Sequence, residues 1–404
     1  MQRNRVKAGK RLFSIALALL IGGSRMMAQG VPAELQSQLN QERMRLAPDK
    51  RVAVFDVRVS SVRGMNIAVQ GEIQDSKMKG QLVNGLKNRG WKVNADSLAA
   101  LPEATVAQTP HALVCVSVVN IRVKPDNAAE MATQALLGTP LKVLREHDGW
   151  YLVQTPDAYL GWTEGNLRLM SDSAYNAWLD RPKVIVTSTY AFSHSAEDSE
   201  MPYVSDLVAG SILVLAQELS SSYAVEYPDG RAAFVRKTDA QPFGAWLGGQ
   251  TATGPKLIET AEKFMGIPYL WGGTSTKGMD CSGFTKTVYY LNGILLPRDA
   301  SQQAYVGKAV DGGDSLDQFQ PGDLLFFGFR ARGEKKERVT HVAMSLGGRR
   351  YIHSSGDVHI NSLDPSDRDY NDYRRQMFLH ARRILGTGKD EGVQRLADMH
   401  EYKR

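Results

Sequence analysis

The chain holds two cysteines and eight histidines in 404 residues, and three of these sit where they could act together. Cys281 lies between Asp280 and Ser282 in GMDCSGFTKTVYY, and Phe284, Val288 and Leu291 then recur at helical spacing until Gly293. The spacing predicts a helix that begins at the cysteine. Unpaired backbone N–H groups and the positive end of the helix dipole would face the sulfur, which favours the thiolate, the nucleophilic form. The same N–H groups can hold an oxyanion. A buried thiol at an ordinary helix cap is the alternative.

A thiolate nucleophile needs a base. His341 in RVTHVAMSLGG and His353 in RRYIHSSG each stand in an alternating apolar context that reads as a strand, joined at Gly347–Gly348. Their spacing of 12 residues can bring both imidazoles to one side of the sheet. His341 could then touch the sulfur while His353 orients it, the nucleophile–base–orienter logic of acyl transfer. Cys, His and His are also acceptable zinc ligands, but no HExxH or CxxC motif accompanies them, and a metal would consume the thiolate. Cys115, in ALVCVSVVNIRV, reads instead as part of a buried strand. A disulfide between the two has only their number in its favour.

The elements that must position these residues fall into several units. Residues 1–28 have a basic head and an apolar run from Leu12 to Ile21, the shape of a cleaved secretory signal. No cysteine follows for lipid attachment, so no membrane anchor is expected after cleavage. This segment carries six basic residues (Arg3, Arg5, Lys7, Lys10, Arg11, Arg25) and no acidic ones, which accounts for the whole net charge of +6. The basic balance therefore gives no reason to expect nucleic acid. Residues 29–111 read as a small α/β unit without recognisable chemistry.

Residues 112–180 and 181–245 are copies of one another. ALLGTPLKVLREHDGWYLVQTPDAYLGWT (135–163) aligns with LVAGSILVLAQELSSSYAVEYPDGRAAFV (207–235) at an offset of 72 without a gap. Each copy reads as short strands forming a small β-barrel. Tyr159 of the first copy is answered by Arg231 in the second. Residues 243–254, rich in Gly and Thr, read as a linker. Residues 255–385 form the unit with the cysteine and both histidines, and 386–404 read as a charged, frayed tail.

GIPYLWGGTSTKGMDCSGFTKTVYYLNGILLPRDASQQA, QPGDLLFFG and THVAMSLGGRRYIHSSG together resemble the NlpC/p60-type cysteine peptidases, and the two barrels resemble bacterial SH3-like domains. The resemblance implies a multidomain α+β protein, with a papain-like catalytic domain behind two SH3-like barrels and the N-terminal α/β unit. It implies Cys281 as nucleophile, His341 as general base and His353 as the third polar group, with no metal or cofactor. The Cys281 N–H and the Tyr269 hydroxyl would assist the oxyanion, and Trp271 would line the pocket. The implied substrates are peptidoglycan stem peptides, cut at the γ-D-glutamyl–diaminopimelate or γ-D-glutamyl–lysine bond outside the cytoplasm. Members with two SH3-like domains include dipeptidyl-peptidases that require a free N-terminal L-alanine. Glu130 and Tyr159, with Asp280 and Ser282, are then the candidates to hold its ammonium group. Two other readings are an endopeptidase acting on intact cross-linked wall and an inert wall-binding protein.

Overall fold

The computed structural model describes residues 31–197, 202–311, 316–389 and 392–402. The expected export signal at 1–28 lies outside them. The first element is the helix Ala33–Leu46, which shares a core with the helix Ser76–Lys87 and a four-stranded sheet. Phe55–Arg63 and Asn66–Ile73 make an antiparallel hairpin, and Lys92–Asn94 and Leu98–Ala100 run parallel to its second strand. Leu35, Ile73, Leu82 and Leu86 are fully buried between them. The segment joining the first helix to the hairpin is stitched to the next sheet. The Leu160 N–H donates to the Arg51 carbonyl at 2.8 Å, and Gln154 Nε2 donates to the Val52 carbonyl at 2.9 Å.

Two seven-stranded sheets follow with one topology. In the first the order is Leu167–Met170, His111–Val114, Pro140–His147, Trp150–Gln154, Leu160–Glu164, Val118–Arg122, Met131–Leu136. In the second it is Ala240–Pro242, Lys183–Val186, Ile212–Glu218, Ser222–Glu226, Ala232–Arg236, Tyr190–His194, Tyr203–Val208. Apart from the edge pair at 167 and 240, matched strands begin 72 residues apart, as 111 and 183 or 150 and 222 do. Cys115 is a free, buried thiol, pushed up to about 11 by that burial. Its carbonyl accepts from Arg231 Nη2 at 2.8 Å, so the counterpart of Tyr159 in the second copy ties the two sheets together.

The last unit packs the helix Cys281–Tyr290 against a six-stranded antiparallel sheet. The sheet order is Lys308–Val310, Phe378–Arg383, Leu324–Phe329, Arg338–Gly347, Arg350–Ser355, Asp357–Ser362. Phe284 and Val288 are fully buried against Phe326, Val342 and Ile352. The preceding helix Gly254–Glu262 is capped by Thr253 and buries Leu257 and Ala261.

Two stretches differ from their composition. The presumed linker contains the helix Phe243–Gly248, which buries Phe243, Trp246 and Leu247. Three large apolar side chains in six residues outweigh the glycines around them. The described part of the charged tail, which reads as frayed, is packed as well. Gln394–Arg395 pairs with Ile294–Leu295, and Leu396 and Tyr402 join Phe243 and Trp246 in one cluster. Its apolar residues are few, and Val393, Leu396 and Tyr402 are buried.

Candidate active site

Asp280 is the N-cap of the cysteine's helix, accepting from the Gly283 N–H at 2.7 Å. Its backbone is extended, as an N-cap requires, and the Ser282 backbone at the first turn hydrogen-bonds the Cys281 sulfur. Gly283 is required there. A Cβ at this position would stand 2.0 Å from the Gly273 carbonyl oxygen. Close approach of the GGT segment to the first helical turn therefore depends on a missing side chain.

The helix faces the strands Arg338–Gly347 and Arg350–Ser355, joined at Gly347 and Gly348, both at positive φ. This hairpin brings His341 and His353 together. His341 Nε2 lies 2.7 Å from His353 Nδ1, with the rings nearly perpendicular at 87°. That is a hydrogen bond, with no space for an ion between the two nitrogens. The chain continues to Asn361, whose Oδ1 lies 3.1 Å from His353 Nε2. Asn361 donates its own amide to the Ile360 carbonyl, and its Oδ1 also accepts from Asn371 Nδ2. The amide oxygen is thus fixed as an acceptor, so His353 carries its proton on Nε2 and accepts on Nδ1. His341 must then donate from Nε2, which leaves Nδ1 as its free basic nitrogen. His359 Nε2, 3.2 Å from His353 Nε2, fits the same tautomer as a second acceptor.

Both histidines and the cysteine are buried. Burial, with help from the Arg374 charge, holds His341 well below the usual histidine range. Burial and then His359 push His353 down to about 3. Burial and the neighbouring Asp280 carboxylate push Cys281 up to about 11. The backbone of Val342 and Ser282 hydrogen-bonds the sulfur, but this does not overcome the desolvation. Burial thus favours thiol and neutral imidazole, against the pull of the helix terminus toward thiolate. The Val342 contact also places the sulfur against the strand at the residue following His341.

A pH profile follows from these directions. Protonation removes the base, and the lowered pKa of His341 delays protonation to acid pH. The ratio kcat/KM is expected to hold level from pH 7 down to about 5, through the ordinary histidine range. A limb centred near 6.5 would contradict this electrostatic picture.

A cavity of about 430 Å³ opens beside Cys281, lined by Glu130 and Tyr159 of the first seven-stranded sheet's unit and by Tyr269, Trp271, Asp280 and Ser282. All six substrate-binding candidates therefore line one space. Trp271, 62% exposed, donates from Nε1 to Glu130 Oε1 at 2.8 Å. Tyr159 donates its hydroxyl proton to Asp299 Oδ2 at 2.9 Å. Both oxygens of Asp280 are already engaged. Oδ1 accepts from Gly283 N–H, Ser282 Oγ and Arg298 Nη1, and Oδ2 from Gly272 N–H and Arg298 Nη2. Asp280 thus shapes the wall but has little left to offer a ligand.

The sequence reading missed Arg51, Arg298, Asp299 and Asn361. Arg298, 1% exposed, neutralises Asp280 and also donates to Thr133 Oγ1 at 3.0 Å. Arg51 reaches in from the N-terminal unit, which therefore does take part. Its Nη1 donates to Asp299 Oδ2 at 2.7 Å and to Ser301 Oγ at 2.8 Å, while Asp49 holds the rest of its guanidinium. The adjacent Arg-Asp pair in PRDAS was a usable signal for a polar wall. Asn361 was findable as well, since it alternates with His359 on a strand next to His353. Nothing local marked Arg51.

Residues 266–383 match the model of the NlpC/P60 family, and residues 121–164 match that of the bacterial dipeptidyl-peptidase SH3 domain. A Bacillus cereus protein named gamma-D-glutamyl-L-lysine dipeptidyl-peptidase is 36% identical over 56% of this chain and 68% of its own length. A Bacillus subtilis protein of the same name is 33% identical over 55% of this chain and 71% of its own length. The crystal structure of a Bacillus cereus NlpC/P60 family protein superposes with a TM-score of 0.58 at 28% identity, covering 68% of this chain and 99% of that one.

Proposed function

The chain belongs to the NlpC/P60 family of peptidases, and on that premise we propose that it removes L-Ala-γ-D-Glu from peptidoglycan stem peptides whose N-terminal alanine is free. The observation that carries this reading is the set of acceptors in the cavity beside Cys281. Glu130 spends one oxygen on Trp271 and keeps the other. Tyr159 has a single proton and gives it to Asp299, so its oxygen is left to accept. A substrate ammonium can donate to these groups and pair with the Glu130 carboxylate, since Asp280 and Asp299 already face Arg298 and Arg51. An N-acylated alanine brings no charge and adds bulk, and it leaves those groups unpaired. The names of the Bacillus relatives support the same bond.

In the mechanism, His341 Nδ1 takes the Cys281 proton as the sulfur attacks the γ-carbonyl of D-glutamate. The Cys281 N–H at the helix terminus and the Tyr269 hydroxyl stabilise the oxyanion. The His341 imidazolium is steadied by His353 and Asn361 and protonates the departing amine of the diamino acid. Water, deprotonated by His341, then releases the dipeptide and restores the thiol. Wall peptides as substrate require export, which the sequence of residues 1–28 supports. No described helix is long and apolar enough to cross a membrane.

Glu130→Gln and Tyr159→Phe test the assignment. Each is expected to raise KM for the free stem about tenfold, the loss of one charge-assisted contact, with kcat within about twofold. Steady-state kinetics on L-Ala-γ-D-Glu-L-Lys reads this directly, and unchanged KM in both variants would reject the ammonium site.

A further inference from the structure

One cation close to the cysteine has no task in this mechanism. Arg374 stands on the short helix Asp372–Met377, which buries no residue completely, yet its own side chain is half-buried. The guanidinium lies 5.8 Å from the Phe327 ring and 5.5 Å from the Tyr373 ring. Its Nη2 donates to Ser355 Oγ at 3.2 Å. Other arginines of this unit, Arg349 and Arg383, have acidic partners. Among the described residues no carboxylate comes within 4.0 Å of Arg374. Burial without a counter-ion pushes its pKa down. A cation in that position is costly unless something anionic joins it.

The neighbourhood holds a second unsatisfied group. The hydroxyl of Tyr351, fully buried, has no hydrogen-bond partner among the described residues. Its ring packs on Phe327 at 5.6 Å and on His353 at 5.1 Å. Phe327 in turn packs on His341, with ring centroids 5.8 Å apart. Arg374 therefore sits over the aromatic ring that backs the base. Its charge is felt by Cys281, Tyr269, His341 and His353.

Position relative to the scissile bond decides what the anion is. The cavity with Glu130 and Tyr159 takes the acyl half of the substrate, and Arg374 is not part of its lining. It lies instead over Phe327, whose ring packs on His341, the group that protonates the departing amine in the proposed mechanism. We propose that Arg374 is the receptor for the α-carboxylate of the diamino acid that leaves, so that stems ending at that residue are preferred. This rests on the assignment of the acyl half made above. The planar guanidinium, held between two rings and one hydroxyl, suits a carboxylate in a bidentate contact. Both ends of the tripeptide would then be read by charge, the ammonium in the first cavity and the carboxylate at Arg374.

The test compares L-Ala-γ-D-Glu-L-Lys with its C-terminal carboxamide, using the wild type, Arg374→Met and Arg374→Lys. The two peptides share their acyl half, so a general loss of catalysis or folding affects both equally. The wild type is expected to favour the carboxylate about tenfold in kcat/KM, Arg374→Met to bring the ratio near one, and Arg374→Lys to keep part of it. A wild-type ratio near one, or an Arg374→Met ratio unchanged from the wild type, would overturn the assignment while leaving the acyl half intact. Cleavage of neither peptide by the wild type would overturn both together.

Discussion

Cys281→Ala is expected to lower kcat/KM by at least about 10⁴-fold while leaving the free stem peptide bound. The reason lies in how little else the site offers. The Ser282 hydroxyl beside the thiol is held by Asp280 and Arg298, and the cap, the cavity wall and the two histidines survive removal of the thiol. Asp280 keeps its N-cap contact and its Arg298 pair, so the cavity proposed to hold the alanine end is undisturbed. The loss should thus fall on kcat, with binding of the stem by calorimetry close to that of the wild type. Turnover in the alanine variant within about tenfold of the wild type would remove the covalent mechanism.

His341→Ala is expected to have an effect of similar size, but with a different signature. With the thiol pushed up to about 11, only about one molecule in ten thousand carries a thiolate at pH 7 without a base. The variant should lose a comparable factor at neutral pH. Its rate should then climb about tenfold with each pH unit between 7 and 10, as hydroxide replaces the imidazole. The wild type, whose histidine removes the proton within the complex, should show no such climb. A His341→Ala profile that stays flat over this range would mean that the thiol is already ionised at rest.

Much of the site was legible because its parts are local. A cap, a helix period and a Gly–Gly hairpin are written in adjacent residues, and they located Cys281, His341 and His353 relative to their own elements. The 72-residue repeat was equally plain, since strands and turns recur in one order. What escaped was set by contacts between distant segments. Arg51 and Asp299 are 248 residues apart, and neither has a local pattern that announces the other. The protonation of Cys281 escaped for a related reason. The helix dipole can be read from the sequence, whereas burial of the sulfur and the proximity of Asp280 are properties of the folded cleft. The helix Phe243–Gly248 and the tail were hidden by composition. A few large apolar residues among glycines or charges decide burial only when a receiving surface exists.

The proposed ammonium site connects the two halves of the account, because its cavity is lined by Arg51 of the N-terminal unit, Glu130 and Tyr159 of the first seven-stranded sheet's unit and Trp271 of the cysteine domain. It is tested most directly by giving the wild-type enzyme equal amounts of two stems, one with a free alanine amine and one carrying N-acetylmuramic acid on it. Mass spectrometry of the products over time reads the outcome. L-Ala-γ-D-Glu should accumulate from the free stem at least about a hundredfold faster than any cleavage of the muramyl-linked one. Equal rates on both would contradict the ammonium site, whatever the fate of the cysteine.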